Sequence, residues 1–260
     1  MSVVNTFRDG ARLTITLNRP DSLNSIVPDM LEEMLEILDA AASDTTLRVV
    51  VLTGAGRGFC AGGDLHGTGS GGRPGRVETA IAASRRVMRI SQTFRSMPQQ
   101  VIAAINGPCA GAGLSWACAA DLRIAVDTTT FATAFASAAV GGDHGISWLL
   151  PRIVGLGRAA ELMLLGEKFG ADDALRIGLV SRVVPAAELM SVVDQWTTRL
   201  LGLAPGALAA MKANLRESQT LSLGEALDRE AERLSYAFRH PDAGEAARAF
   251  LEQRPPHFAD

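Results

Sequence analysis

The chain is short of cysteine, of histidine and of net charge, and each shortage removes a class of protein. Its three cysteines, Cys60, Cys109 and Cys118, are too few and too scattered for a disulfide framework or a zinc cluster. A reducing, cytoplasmic compartment is therefore expected. The four histidines show no metal-type spacing. Twenty-five basic residues against 28 acidic ones leave a net charge of −3 over 260 residues, without the basic excess of a nucleic-acid binder. The opening MSVVNTFRDGARLTI is interrupted by Arg8, Asp9 and Arg12 and has no apolar segment of the kind a secretory signal needs. One charge-free stretch, Ser96 to Ala120, is long enough to cross a bilayer. Pro98, Gln99, Gln100, Asn106, Gly107 and Pro108 divide it, so it is expected to be buried core and the protein to have no membrane partner.

What is present reads as a globular α/β chain. Hydrophobic residues make up 47% and charged residues 20%, near globular averages. Arg12 to Leu17 alternates like a half-buried strand and stops at Asn18-Arg19-Pro20. Pro28 suits a first helical position, followed by a stripe of Met30, Met34, Ile37, Leu38 and Ala41. Leu47 to Thr53, Val101 to Ile105 and Asp121 to Val126 are predicted strands, the first two as continuously apolar as strands covered on both faces. From Ala186 onward the pattern becomes helical, with breaks expected at Pro205, Gly224 and Pro241. No repeat of fixed period is visible, and Gly67 to Gly75 is a local low-complexity loop.

Two glycine-rich segments follow the apolar strands. The first, Gly54-Ala55-Gly56-Arg57-Gly58-Phe59-Cys60-Ala61-Gly62-Gly63-Asp64-Leu65, superficially suits a dinucleotide site. A pyrophosphate cradle, however, needs a helix opening among the glycines, and Phe59-Cys60 followed by more glycine does not supply one. The second runs from Asn106 to Ser115 and leads into a predicted helix from Leu114 to Ala120. Amides at such a helix start lack internal partners. One amide from each segment, aimed at one carbonyl oxygen, would make an oxyanion hole. Taken singly, each segment also reads as tight turns and close backbone packing.

In order along the chain, Asn18-Arg19-Pro20…Leu23-Asn24, Phe59 to Leu65, Ala104-Ile105-Asn106-Gly107 through Ala112-Gly113, Ala120 to Ala125, Leu150 to Gly155 and Ala174…Gly178-Leu179-Val180 resemble the crotonase (enoyl-CoA hydratase/isomerase) superfamily. The resemblance covers residues 10–185. It implies an α/β spiral of ββα units, here residues 1–195 with an acyl-CoA site. A helical C-terminal region, residues 196–260, would assemble a homotrimer or a dimer of trimers. It further implies an acyl-CoA substrate whose thioester oxygen lies between the amides of Gly63 and Ala112, with no separate cofactor and no metal. Ala61, Asp64 and Leu65 would line the CoA channel. The loop from Asp21 to Asn24 lacks the basic residue often seen there, leaving phosphate contacts to Arg19 or the tail.

The two glutamates of the family's hydratases fall on Ser115 and Phe135, which are expected to line the substrate site and cannot serve as carboxylates. A carboxylate does occur in Gly141-Gly142-Asp143-His144-Gly145, in a segment similar to enoyl-CoA isomerases of the epoxyphenylacetyl-CoA isomerase type and, in placement, to 4-chlorobenzoyl-CoA dehalogenase. Asp143 is the candidate acid/base, with a pKa expected to be raised in an apolar pocket among Phe131, Phe135 and Trp148. It equally suits the N-cap of a helix through Ile146 to Leu150. The expected reaction is a double-bond shift in an enoyl-CoA. Alternatives are an acyl-CoA hydrolase or dehalogenase-like enzyme using Asp143, a non-catalytic acyl-CoA binder, and a hydratase using substitute groups. His66 and His144 are expected to be non-catalytic, Cys60 and Cys109 to fill space, and Ser115, in a sequence only loosely like a nucleophile elbow, not to be a nucleophile.

Overall fold

A computed structural model of the protein describes residues 2–64 and 76–258. The chain opens with β1 (Val4–Asp9), an exposed edge strand, which turns at Gly10 into β2 (Arg12–Leu17). A short 3₁₀ turn at Pro20–Ser22 leads to α1 (Pro28–Ser43). Proline occupies its first turn, where no intrahelical donor is needed. Met30, Met34, Leu35, Leu38 and Ala41 are its buried stripe, Ile37 lying at the margin. Next come β3 (Val49–Gly54), α2 (Val77–Ser96), β4 (Gln100–Ile105), β5 (Cys109–Ala110) and α3 (Ala112–Ala119). The order continues with β6 (Leu122–Val126), β7 (Thr130–Ala132), α4 (Ile146–Val154), α5 (Leu156–Leu165), β8 (Phe169–Gly170), α6 (Ala171–Arg176) and β9 (Arg182–Val184). Four further helices follow, α7 (Leu189–Leu201), α8 (Pro205–Glu217), α9 (Leu223–Ala237) and α10 (Pro241–Leu251).

One sheet runs β1-β2-β3-β4-β6-β9, parallel except for the first hairpin. Side chains alternate across it, as the period of two requires. Val50, Leu52, Val101, Ala103 and Ile105 join the main core with α1 and α3. Val49, Val51, Ile102 and Ala104 face a second cluster closed by Leu189, Val192 and Val193 of α7. With both faces covered, the strands are continuously apolar. The charge-free stretch contributes β4, β5 and α3, and no described helix is long and apolar enough to cross a membrane.

The spiral becomes visible in a second, thinner layer. After β2 the chain reaches Ile26, which bridges Gly63; after β3 it reaches Cys60, which bridges Cys109. After β4 comes β5, paired with β7, and β7 pairs with β8. Successive turns thus visit the large sheet, then the small layer, then a helix. The repeat lies in backbone path, not residue identity, so it leaves no fixed sequence period. The largest fully buried side chains, Trp116, Phe59, Phe94 and Phe131, belong to these turns.

The tail is docked on the core by a charge. Lys212 of α8 is buried, 2.7 Å from the Asp121 carboxylate, and donates to the Gln99 carbonyl at 2.7 Å. Burial pulls its pKa down, while Asp121 opposes the shift. Beyond α8, α9 buries none of its residues. It starts one residue before Gly224: Ser222 and Glu225 form a reciprocal cap, so Gly224 lies inside the helix and not at a break.

Candidate active site

The first glycine-rich turn is a packing device. Asn106 Oδ1 accepts from the Gly54 amide at 3.1 Å, and its Nδ2 donates to the carbonyls of Gly54 and Gly56 at 2.8 and 3.0 Å. Asn24 Nδ2 donates to Ala55 and Gly58 carbonyls at 3.0 and 2.8 Å. A Cβ on Gly54 would lie 2.1 Å from the Gly58 carbonyl oxygen, and one on Gly107 2.1 Å from that of Arg57. The turn offers its carbonyls inward to two asparagines, and the next described helix starts only at Val77. That geometry does not suit a pyrophosphate.

Downstream, the two segments are laid against each other. The Phe59 and Cys60 amides both donate to the Pro108 carbonyl at 3.1 Å, and the Ala110 amide donates to the Cys60 carbonyl at 2.9 Å. Gly62 has φ +92°, and a Cβ there would sit 3.1 Å from the Ala110 carbonyl oxygen and 3.5 Å from the Ala112 nitrogen. A Cβ on Gly113 would lie 2.6 Å from Cys60 Cβ. These two glycines let the start of α3 rest on residues 60–63. Among the described residues, neither the Gly63 amide nor the Ala112 amide has an acceptor. Ala112 is the first residue of α3, at the positive end of the helix dipole. It belongs to the main core, which accommodates its methyl group.

The other expected residues have distinct surroundings. Ala61 and Gly63 are exposed. Asp64 accepts from Arg19 at 2.8 Å, and the same guanidinium nitrogen donates to the Ser25 carbonyl at 2.6 Å and hydroxyl at 2.9 Å. Arg19 therefore clasps the Asn18–Ser25 loop to residue 64. Phe135 is buried and accepts through its carbonyl from Ala138 and Val140 in the turn that follows. Leu65, His66 and the Gly67 to Gly75 loop lie outside the described residues. Burial pushes the Cys60 and Cys118 thiols up to about 12 and that of Cys109 well above its usual value, so all three are uncharged packing groups at neutral pH.

Asp143 is half-buried, and its pKa is pushed up to about 6, chiefly by desolvation, with a hydrogen bond from Ser115 working in the opposite direction. The Ser115 hydroxyl, wholly buried in the second turn of α3, lies 3.4 Å from Asp143 Oδ1 and 3.2 Å from its carbonyl oxygen. The side chain of Asp143 does not cap α4. The cap residue is Gly145, with no side-chain bond, and it is the Asp143 carbonyl that accepts from the Ile146 amide at 3.0 Å. Two of the aromatic rings expected around this carboxyl have other partners: Phe131 stacks on Phe169, and Trp148 lies beneath Arg152 and Arg95. One contact has no signature in the sequence. Trp116 Nε1 donates to Nδ1 of buried His144 at 3.2 Å, across 28 positions, with the rings edge to face. Burial lowers the His144 pKa to about 4, leaving the imidazole neutral with its proton on Nε2.

A two-layer ββα spiral, two amides with no acceptor among the described residues and a half-buried acid bonded to Ser115 of the same short helix are what the comparisons with known proteins meet. The chain belongs to the enoyl-CoA hydratase/isomerase family, whose model matches residues 9–260, and it is an enzyme of that family. It is 35% identical to 1,2-epoxyphenylacetyl-CoA isomerase from Escherichia coli K12, over 95% of this chain and 94% of the relative. It is 30% identical to the short-chain-enoyl-CoA hydratase of Clostridium acetobutylicum, over 95% and 94% respectively. A crystal structure of an enoyl-CoA hydratase from Bacillus anthracis superimposes with a TM-score of 0.92 at 30% identity, covering 98% of both chains. The relatives carry both isomerase and hydratase names, and the family acts on acyl-CoA.

Proposed function

We propose that this enzyme shifts a double bond along the acyl chain of an enoyl-CoA, with Asp143 as the only acid/base. The observation that carries this reading is the pairing of an Asp143 carboxyl poised near pH 6 with Ser115 and Phe135 at the two positions where hydratases hold glutamates. A 3-enoyl-CoA would bind with its thioester oxygen between the Gly63 and Ala112 amides. The Asp143 carboxylate takes a proton from C2, and the electron pair moves into a dienolate whose negative charge gathers on that oxygen, where two fixed donors stabilise it. The carboxylic acid so formed returns its proton to C4, and the double bond settles between C2 and C3. Atoms and charge balance without metal or redox cofactor. A carboxyl with a pKa of about 6 both accepts and donates readily near neutrality. Ala61 and Asp64 border the channel in this reading, and Phe135 gives the acyl side an apolar wall. Hydration needs a second group to activate water, and the glutamate positions offer none.

The test is incubation with a 3-enoyl-CoA in D₂O, following conjugation optically and label by mass spectrometry, beside Asp143→Asn. The wild type is expected to give 2-enoyl-CoA, with deuterium at C4 only in the fraction of turnovers in which the Asp143 acid exchanges with solvent before returning its proton, and the variant to lose about 10²- to 10⁴-fold in rate. Undiminished conversion by the variant, or a 3-hydroxyacyl-CoA as the first product, would overturn the proposal.

A further inference from the structure

We infer that Ser115 and Trp116 are positioning residues that fix the Asp143 carboxyl relative to the first turn of α3. The inference rests on the reading of Asp143 given above and adds what holds it in place. Two consecutive residues of α3 reach two consecutive residues of the loop before α4: Ser115 to Asp143, and Trp116 Nε1 to His144 Nδ1. The same short helix begins with Ala112, three residues before Ser115. The amide proposed to receive the developing charge and the carboxyl proposed to move the proton are thus referenced to one rigid element.

The loop needs such a clamp. Gly142, His144 and Gly145 all have positive φ, at +132°, +43° and +82°. The glycines adopt these values freely, whereas histidine, though among the side chains that enter the left-handed region more often, does so at some cost in backbone energy. Asp143 sits between these residues and would swing with any relaxation of them. Its carbonyl accepts from the Ile146 amide at 3.0 Å and lies 3.2 Å from the Ser115 hydroxyl, whose one proton is shared between that oxygen, Asp143 Oδ1 at 3.4 Å and the Gly111 carbonyl at 3.3 Å. The His144 ring is held by Trp116, itself wholly buried. Among the described residues, the titratable groups that bear on the site are the Cys60 thiol and the His144 imidazole, both neutral at pH 7. Among the described residues, Ser115 is the neighbour that stabilises the ionised carboxyl by hydrogen bonding.

The experiment compares Ser115→Ala, Trp116→Phe, His144→Leu and His144→Asn with the wild type and Asp143→Asn. It measures kcat, KM, the acid limb of the pH–rate profile, and the Kd of a saturated acyl-CoA. Ser115→Ala is expected to raise the acid limb by about half a pH unit, since a hydrogen bond to the charged form is gone. Trp116→Phe and His144→Leu are expected to lower kcat about tenfold, with KM and Kd within about twofold, the mark of a misplaced group and not of lost binding. His144→Asn keeps an acceptor for Trp116 and tolerates positive φ, so it is expected to restore kcat to within about threefold. If Trp116→Phe does not fold, the two His144 variants and Ser115→Ala carry the test. An inactive Asp143→Asn beside unchanged kcat and acid limbs in the clamp variants overturns this inference alone. A fully active Asp143→Asn overturns the reading beneath it as well.

Discussion

Asp143 and His144 are neighbours whose titrations are displaced in opposite directions by the same cause, burial. Folding raises the aspartate from 3.8 to about 6, so the native state holds its proton more tightly than the unfolded chain. The stability this contributes is full below pH 3.8 and is lost as pH rises through 6. For His144, folding lowers the pKa from 6.5 to about 4; its contribution is full above 6.5 and is lost as pH falls through 4. Over the same window the two oppose each other. Denaturant titrations should therefore show Asp143→Asn losing stability on acidification from pH 6.5 to 4, by about 2 kcal/mol. His144→Asn should gain over that range, by about 1 kcal/mol once partial solvent screening of the aspartate is allowed for. At pH 7.5 Asp143→Asn should be more stable than the wild type by a similar amount, because it removes a carboxylate held against its solvation. Activity gives a further check on the aspartate: kcat/KM is expected to fall tenfold per pH unit below about 6. Glycine matters at position 113 in a different way. Gly113→Ala puts a methyl group 2.6 Å from Cys60 Cβ, which must part the two loops, and should cut kcat/KM at least tenfold in the conjugation assay.

At the scale of elements, what the sequence revealed depended on how each element is buried. β2 spans Arg12–Leu17, as its alternation predicts, and β3, β4 and β6 depart from expectation only at their ends. Leu47, for instance, closes a turn onto Asp44 before the strand begins. β1 gave no signal because only Val4 of its residues is buried and the rest face solvent. α2 escaped because its burial is confined to Ile90, Ser91 and Phe94 near its end. The site was legible where neighbours in sequence are neighbours in space, as in residues 59–64 and 106–113. The bonds from Ser115 and Trp116 to Asp143 and His144 join elements by tertiary packing, and no periodicity reports that. The same holds for the clamp between α8 and β6, where Lys212 meets Asp121 just ahead of the strand. Lys212→Ala is expected to cost about 3 kcal/mol in urea denaturation, because it removes the ion-pair partner of a carboxylate that is only 18% exposed, leaving it the Val101 amide and the fields of Arg95 and Arg123.

At the scale of the molecule, the tail presents apolar surface that no other described residue covers. Leu223, Leu227, Leu234, Tyr236 and Phe238, with Phe250 and Leu251 of α10, are each more than half exposed. We propose that copies of the chain meet on this surface, in which case light scattering gives the mass of three or six chains of 27.4 kDa. Leu227 and Leu234 are seven positions apart on one face of α9. Replacing both with glutamate is expected to reduce the assembly to single chains.

The Lys212 clamp ties that surface to the chemistry. Asp121 stands two residues beyond the end of α3, the helix that begins with Ala112 and carries Ser115 and Trp116. A polypeptide that stops before position 212 lacks the cation paired with the Asp121 carboxylate. Such a fragment is expected to melt at a lower temperature than the full chain when followed by circular dichroism. The buried lysine thus links the folding of the tail to the end of the helix that carries Ser115 and Trp116.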